Sequence, residues 1–202
     1  MNKFDFWIRR IHSLLGVAAL GGFLLEHLFT VSHIMGGPAV FDAAVHEISN
    51  IPFLVPVEIL CIGVPFMLHG IIGVVYALKA KNNVTQYGYW NNWMFYLQRI
   101  TAYIAFVFIL YHVFTLRIMG KAVGGQFVGY NYIHNVLANP VVMGAYIIGL
   151  LSSIFHFTNG LWGFAVTWGI AAGPRAQRVV SIGTIALFLL MSCVGLTALT
   201  HF

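Results

Sequence analysis

Ile154-Phe155-His156-Phe157-Thr158-Asn159-Gly160-Leu161-Trp162 sets a histidine inside a long apolar run, with Asn159 three residues on and Gly160 four on. An ionisable ring within a bilayer is costly and calls for a partner. The run around it covers about 139–168, longer than the roughly 20 apolar residues that cross a hydrocarbon core, so its ends project beyond the lipid. Four further runs are long enough to cross, at about 13–35, 55–78, 96–117 and 179–201. Three of them carry a histidine at comparable depth: His27, His69 and His112.

Composition points the same way. Of 202 residues, 60% are hydrophobic and 7% charged, against about 25% charged in ordinary soluble domains. No soluble core absorbs that much apolar surface, so lipid is the solvent for most of the chain. The expectation is an all-α membrane protein, a single domain over 1–202 built as a five-helix transmembrane bundle. No repeat of solenoid length interrupts it. The net charge of +5 comes from ten Lys and Arg against five Asp and Glu. These basic residues sit between the apolar runs, which indicates orientation in the membrane and no nucleic-acid partner. Cys61 and Cys193 both lie in apolar runs and form no CxxC pair, which argues against a zinc ribbon or covalently attached heme. Met1 to Trp7 show no cleavable leader.

Orientation follows from the loops. Lys3, Arg9, Arg10, Lys79, Lys81, Arg99, Arg175 and Arg178 fall on one side, and Arg117 with Lys121 on the other. The positive-inside rule puts the first group in the cytoplasm, with the N-terminus inside and the C-terminus outside. Trp7, Trp90, Trp93 and Trp168 near the run ends suit an interfacial aromatic belt. Between the first two runs, 39–49 reads as a short interfacial helix with Phe41, Ala44, Val45 and Ile48 on one face and Asp42, His46 and Glu47 off it. The stretch 120–138 reads as an outward loop bearing Tyr130, Tyr132 and His134.

At about 1.5 Å per residue, His27 and His112 each lie roughly 20–24 Å from the inner starts of their helices. His69 and His156 lie roughly 21–25 Å from the outer starts of theirs. The histidines therefore divide by depth into an outer pair, His27 with His112, and an inner pair, His69 with His156. Two imidazoles facing across a gap are what a six-coordinate heme requires, and bundle helices can supply them. Two b hemes at two depths would make an electron path across the membrane, each clamped by antiparallel neighbours. Gly73 and Gly160 follow His69 and His156 by four residues, and Gly16 precedes His27 by eleven, which puts small residues on the same faces. A single membrane histidine is more often a helix–helix hydrogen-bond partner; four matched by depth favour ligation. A proton relay would bring acids to mid-depth, whereas Glu26, Asp42, Glu47 and Glu58 lie toward the outer ends. His12 sits at the inner boundary, as a propionate contact or a solvated residue. His33, His46, His134 and His201 read as non-ligands.

Three stretches carry a resemblance: Arg9-Arg10-Ile11-His12-Ser13-Leu14-Leu15-Gly16, Asn91-Asn92-Trp93-Met94-Phe95-Tyr96-Leu97-Gln98-Arg99-Ile100-Thr101, and Phe155 to Ile170. They resemble the diheme cytochrome b membrane anchors of succinate:menaquinone oxidoreductases, of the Bacillus type with one large five-helix anchor. The resemblance covers nearly the whole chain. It implies His27, His69, His112 and His156 as heme iron ligands in the same two pairs, the inner heme at higher potential. It also implies a flavoprotein subunit that oxidises succinate, an iron–sulfur subunit and menaquinone as acceptor. Neither a dinucleotide fingerprint nor a cluster-binding cysteine set is present here, so the succinate site belongs to a partner.

Arg9, Arg10, His12, Ser13, Arg99 and Asn159 are candidates for heme propionates or for the dock of the iron–sulfur subunit, since arginine donates two parallel hydrogen bonds to a carboxylate. Orientation charge is the rival reading for Arg9 and Arg10. Quinone reduction consumes protons, so an acid should stand near the quinone. Glu58 is the first candidate, eleven residues before His69, and Glu47 the second; Ser49 stands where the family has an acidic residue. The same architecture also serves quinol:fumarate reductases. A heme-free transporter or scaffold that uses its histidines for packing is the alternative of another class.

Overall fold

A computed structural model describes residues 3–124 and 127–202; Met1, Asn2 and residues 125–126 of the 120–138 stretch lie outside the described residues. Among the described residues five helices are long and apolar enough to cross a membrane: α1 (Lys3–Gly36), α3 (Leu54–Lys79), α4 (Trp90–Ala122), α6 (Pro140–Thr167) and α7 (Pro174–Leu199). Two shorter ones, α2 (Pro38–Ser49) and α5 (Tyr130–Leu137), join them at one end. Tyr130, Tyr132 and His134 thus stand on a helix where the sequence suggested a loop.

The helix starts are written locally. Asn139 Oδ1 accepts from the amides of Val141 and Val142 at 2.9 and 3.4 Å, with Pro140 at the first helical position of α6. Gly37, at φ +100°, makes the turn that ends α1, and Pro38 opens α2. α1, α4 and α7 begin well before their apolar stretches, at Lys3, Trp90 and Pro174. Hydropathy marks only what lipid covers; the helices continue into the interface on polar and aromatic residues.

Three spans widen locally to π spacing, at Leu15–Leu20, Ile59–Gly63 and Val113–Met119. One extra residue in a turn rotates everything after it by about 100°. This breaks the simple 3.6-residue phase between Gly16 and His27, and between Glu58 and His69.

α6 is the central element, packed along α4 on one side and α7 on the other, while α1 packs on α3 and also meets α6 and α7. At the α2–α5 end a core forms from Ile34, Phe41, Ile133, Leu137, Tyr146, Ala198 and Leu199. Phe41 is 2% exposed there, and Asp42 Oδ1 accepts from the Tyr130 amide at 2.7 Å, tying α2 to α5. Phe29, Leu60, Val107 and Leu189 are each more than 60% exposed on the outer faces of the spans, as side chains solvated by lipid should be.

Candidate functional site

α1, α3, α4 and α6 surround a cavity of about 2100 Å³. Small-molecule pockets hold roughly 300–1,000 Å³, so this space admits more than one bulky group. It exists because packing is uneven. α3 and α4 touch little, and neither diagonal pair, α1 with α4 or α3 with α6, makes an extensive contact.

The four histidines line this cavity from those diagonals. His27 on α1 faces His112 on α4, ring centroids 5.7 Å apart and planes at 78°. His69 on α3 faces His156 on α6, centroids 6.1 Å apart and planes at 80°. Alternate spans of a chain that crosses back and forth share a direction, so the helices of each pair run parallel. They are also diagonal across the cavity, and the expectation of antiparallel neighbours is corrected on both counts.

The inner pair is oriented by backbone carbonyls. His69 Nδ1 donates to His12 O at 2.9 Å, and His156 Nδ1 to Gln98 O at 3.1 Å. A carbonyl only accepts, so Nδ1 carries the proton and Nε2 keeps its lone pair in the neutral ring. Gly16 makes room for this: a Cβ there would stand 2.5 Å from His69 Cε1. In the outer pair His112 Nδ1 is buried without a partner, among Phe108 and Tyr146.

These residues fit a heme. With about 2 Å per metal–imidazole bond, two rings sharing one iron should have centroids roughly 6 Å apart. Among the described residues no hydrogen bond joins the two rings of a pair, and those of the inner pair are made through Nδ1. No three His, Cys, Asp or Glu among the described residues gather to hold a bare metal ion. Two imidazoles facing across a gap of about one metal's width, with open cavity beside them, suit a metal whose remaining positions are filled by a macrocycle.

At the end bearing Arg9 and Arg10 the cavity rim is cationic. The Arg9 guanidinium lies 4.2 Å over the Tyr76 ring, and that of Arg10 lies 4.8 Å over both Phe6 and Trp168. Ser13 Oγ donates to Arg10 O and accepts from Trp168 Nε1, each at 3.0 Å. Arg99 donates to Asn82 Oδ1 and to Phe95 O, and its Nη1 is buried with no partner. His12 stacks on His69 at 4.1 Å between centroids and 8° between planes. Asn159 Nδ2 donates to Gln98 Oε1 at 2.7 Å and to Met94 O at 3.3 Å, so its donors are engaged within the protein. Gly73 admits the His12 ring and Gly160 the Gln98 amide, with a Cβ at either only 3.1 and 3.3 Å from those groups.

At the opposite end Glu58 is ion-paired with Arg117 of α4, each side chain about one-third exposed at the cavity wall. Glu47 is exposed on α2 and is not part of the cavity lining, whereas Ser49 is. Of the other histidines, His33 bonds locally to Phe29 O and Thr30 O, His46 to Asn50 and His201 to Thr197 O, while His134 reaches Phe202 O at the far end of the sequence.

A family profile described as "Succinate dehydrogenase/Fumarate reductase transmembrane subunit" matches residues 77–197. The succinate dehydrogenase cytochrome b558 subunit of Bacillus subtilis (strain 168) is 43% identical over 198 residues, 98% of this chain and 97% of that protein. The chain belongs to this family. It is a multi-pass membrane-anchor subunit of a succinate dehydrogenase-type oxidoreductase complex in the cytoplasmic membrane. Gln98, bonded to His156 and Asn159, and Arg117, paired with Glu58, are cavity-lining residues that sequence reasoning passed over. A polar or charged side chain within an apolar helix was the available signal, since such groups seek partners across helices.

Proposed function

We propose that the anchor binds two b hemes in series and conducts electrons from an iron–sulfur subunit, fed by a flavoprotein that oxidises succinate, across the bilayer to menaquinone. His69 and His156 are the ligands at the basic end, His27 and His112 those at the opposite end. When bound, the hemes supply one-electron chemistry; the chain supplies ligation, spacing and a low-dielectric surround. His12 O and Gln98 O hold the inner rings in the tautomer that presents Nε2. Arg9, Arg10 and Arg99 offer cationic donors for propionates, Arg99 through an unpartnered Nη1. Glu58, steered by Arg117, is the acid for the protons that menaquinone takes up.

The basic end faces the cytoplasm on the charge distribution. A thiol at Asn83→Cys, in a chain with Cys61 and Cys193 replaced, should resist membrane-impermeant labelling in intact cells; labelling there would invert the topology.

The observation that carries the reading is the pair of imidazole gaps, 5.7 and 6.1 Å between centroids, at two levels of one cavity. Reduced-minus-oxidised spectra of the purified complex test it. Two low-spin b components are expected. His69→Ala or His156→Ala should remove the higher-potential one, and His27→Ala or His112→Ala the other. A pigment-free complex from heme-replete cells, or loss of the same component from both pairs of variants, ends the reading.

A further inference from the structure

We propose that Gln98 and Asn159 form a latch between α4 and α6 that positions His156 and sets its strength as an iron ligand, a role that rests on the reading of His156 as such a ligand. The contact is reciprocal. His156 Nδ1–H donates to Gln98 O at 3.1 Å, and Gln98 Nε2 donates back to His156 O at 2.9 Å. The other end of the same amide, Oε1, accepts from Asn159 Nδ2 at 2.7 Å, and Asn159 also reaches Met94 O at 3.3 Å. Residues 156 and 159, one turn apart on α6, are thus pinned to residues 94 and 98, one turn apart on α4. Gly160 leaves the opening through which the amide passes, since a Cβ there would stand 3.3 Å from Gln98 Nε2.

Among the described residues no other cavity histidine is braced in this way. His69 also donates to a carbonyl, that of His12, but no side-chain amide of the described residues returns a bond to that segment. His112, on the same helix as Gln98, has a buried Nδ1 with no partner. The brace is therefore specific to one ring and is not a general feature of α4. Its effect follows from ligand chemistry. A hydrogen bond donated from Nδ1 makes the imidazole a stronger donor at Nε2 and fixes its plane. A stronger donor favours the oxidised iron. Gln98 and Asn159 are positioning residues: neither reaches the iron, and both act by holding the Gln98 carbonyl against the ring.

The test uses the assembled complex with Gln98→Leu, which removes the returned bond and the acceptor for Asn159 while leaving the backbone carbonyl in place. The component lost in His156→Ala should move to higher midpoint potential and change its largest g-value in electron paramagnetic resonance, with the other component unchanged. Asn159→Ala should shift the same component in the same direction by less, and the double variant should fall short of the sum, as for residues in one network. Asn159→Ala also serves if Gln98→Leu fails to assemble. Loss of the one component alone, the other retained, supports the latch too. Unchanged potential and g-values in either heme-loaded variant overturn the latch, as does loss of both components from both variants. Both components surviving in His156→Ala would instead overturn the ligand assignment.

Discussion

At the scale of single residues, the cavity tolerates little addition on the faces that carry histidines. Gly16→Val puts carbon where His69 Cε1 stands, 2.5 Å from an added Cβ, whereas Gly22 has nothing within 4 Å. Overpacking of this kind costs about 1–3 kcal/mol. We expect Gly16→Val to deplete the higher-potential heme component in difference spectra and Gly22→Val to leave both intact; matching spectra for the two variants would reject the placement. Glu58→Gln keeps shape and an acceptor for Arg117 but removes the exchangeable proton. Loss of a general acid typically costs on the order of 10²-fold or more, so menaquinone reduction should fall by that order with both heme components retained. Undiminished turnover would move the acid elsewhere. The histidines were legible in the sequence because apolar runs make each ionisable ring conspicuous. Their partners were not: Gln98 and Arg117 bond across helices, and only the register of α4 against α6 and α3 decides whom they meet. Arg117 looked like an orientation charge, and Asn159 a donor to propionates, until their neighbours were in place.

At the scale of elements, hydropathy located the spans and missed their ends. α1 runs back to Lys3 and α7 to Pro174, through polar turns that no lipid scale detects. The π turns were equally hidden, because an i→i+5 bond leaves no mark in composition, and they decide which face Gly16 presents. The short helix α2 was legible from its amphipathic face, and its weight in the fold rests on Phe41. That ring is 2% exposed and meets Phe202 edge-on at 5.0 Å between centroids. A fully buried phenylalanine cut to alanine costs about 3–5 kcal/mol. Phe41→Ala should therefore lower the thermal midpoint of the detergent-solubilised complex and detach α2 from α5, with faster proteolysis between α1 and α3. An unaltered midpoint and cleavage rate would mean that α2 rests on the bundle without holding it.

At the scale of the whole molecule, stability and cofactor should be inseparable. A helical membrane protein gains no hydrophobic drive from helix association in lipid and depends on close packing and interhelical hydrogen bonds. This chain gives up such packing along the α3–α4 seam and across both diagonals, around a cavity of about 2100 Å³. What packing remains is concentrated on α6 with α4 and α7. A ligand that binds only the folded form stabilises it by about 4 kcal/mol when present at a thousand times its dissociation constant. Chain made in heme-deficient cells should therefore unfold at markedly lower temperature in detergent and be cleared faster in vivo. The loss should appear first as separation of α3 from α4, seen as a rising distance between spin labels at Leu78→Cys and Tyr89→Cys in a background lacking the native cysteines. Equal melting temperature and label distance with and without heme would show that the bundle stands on protein contacts alone, and the cavity would then need another occupant.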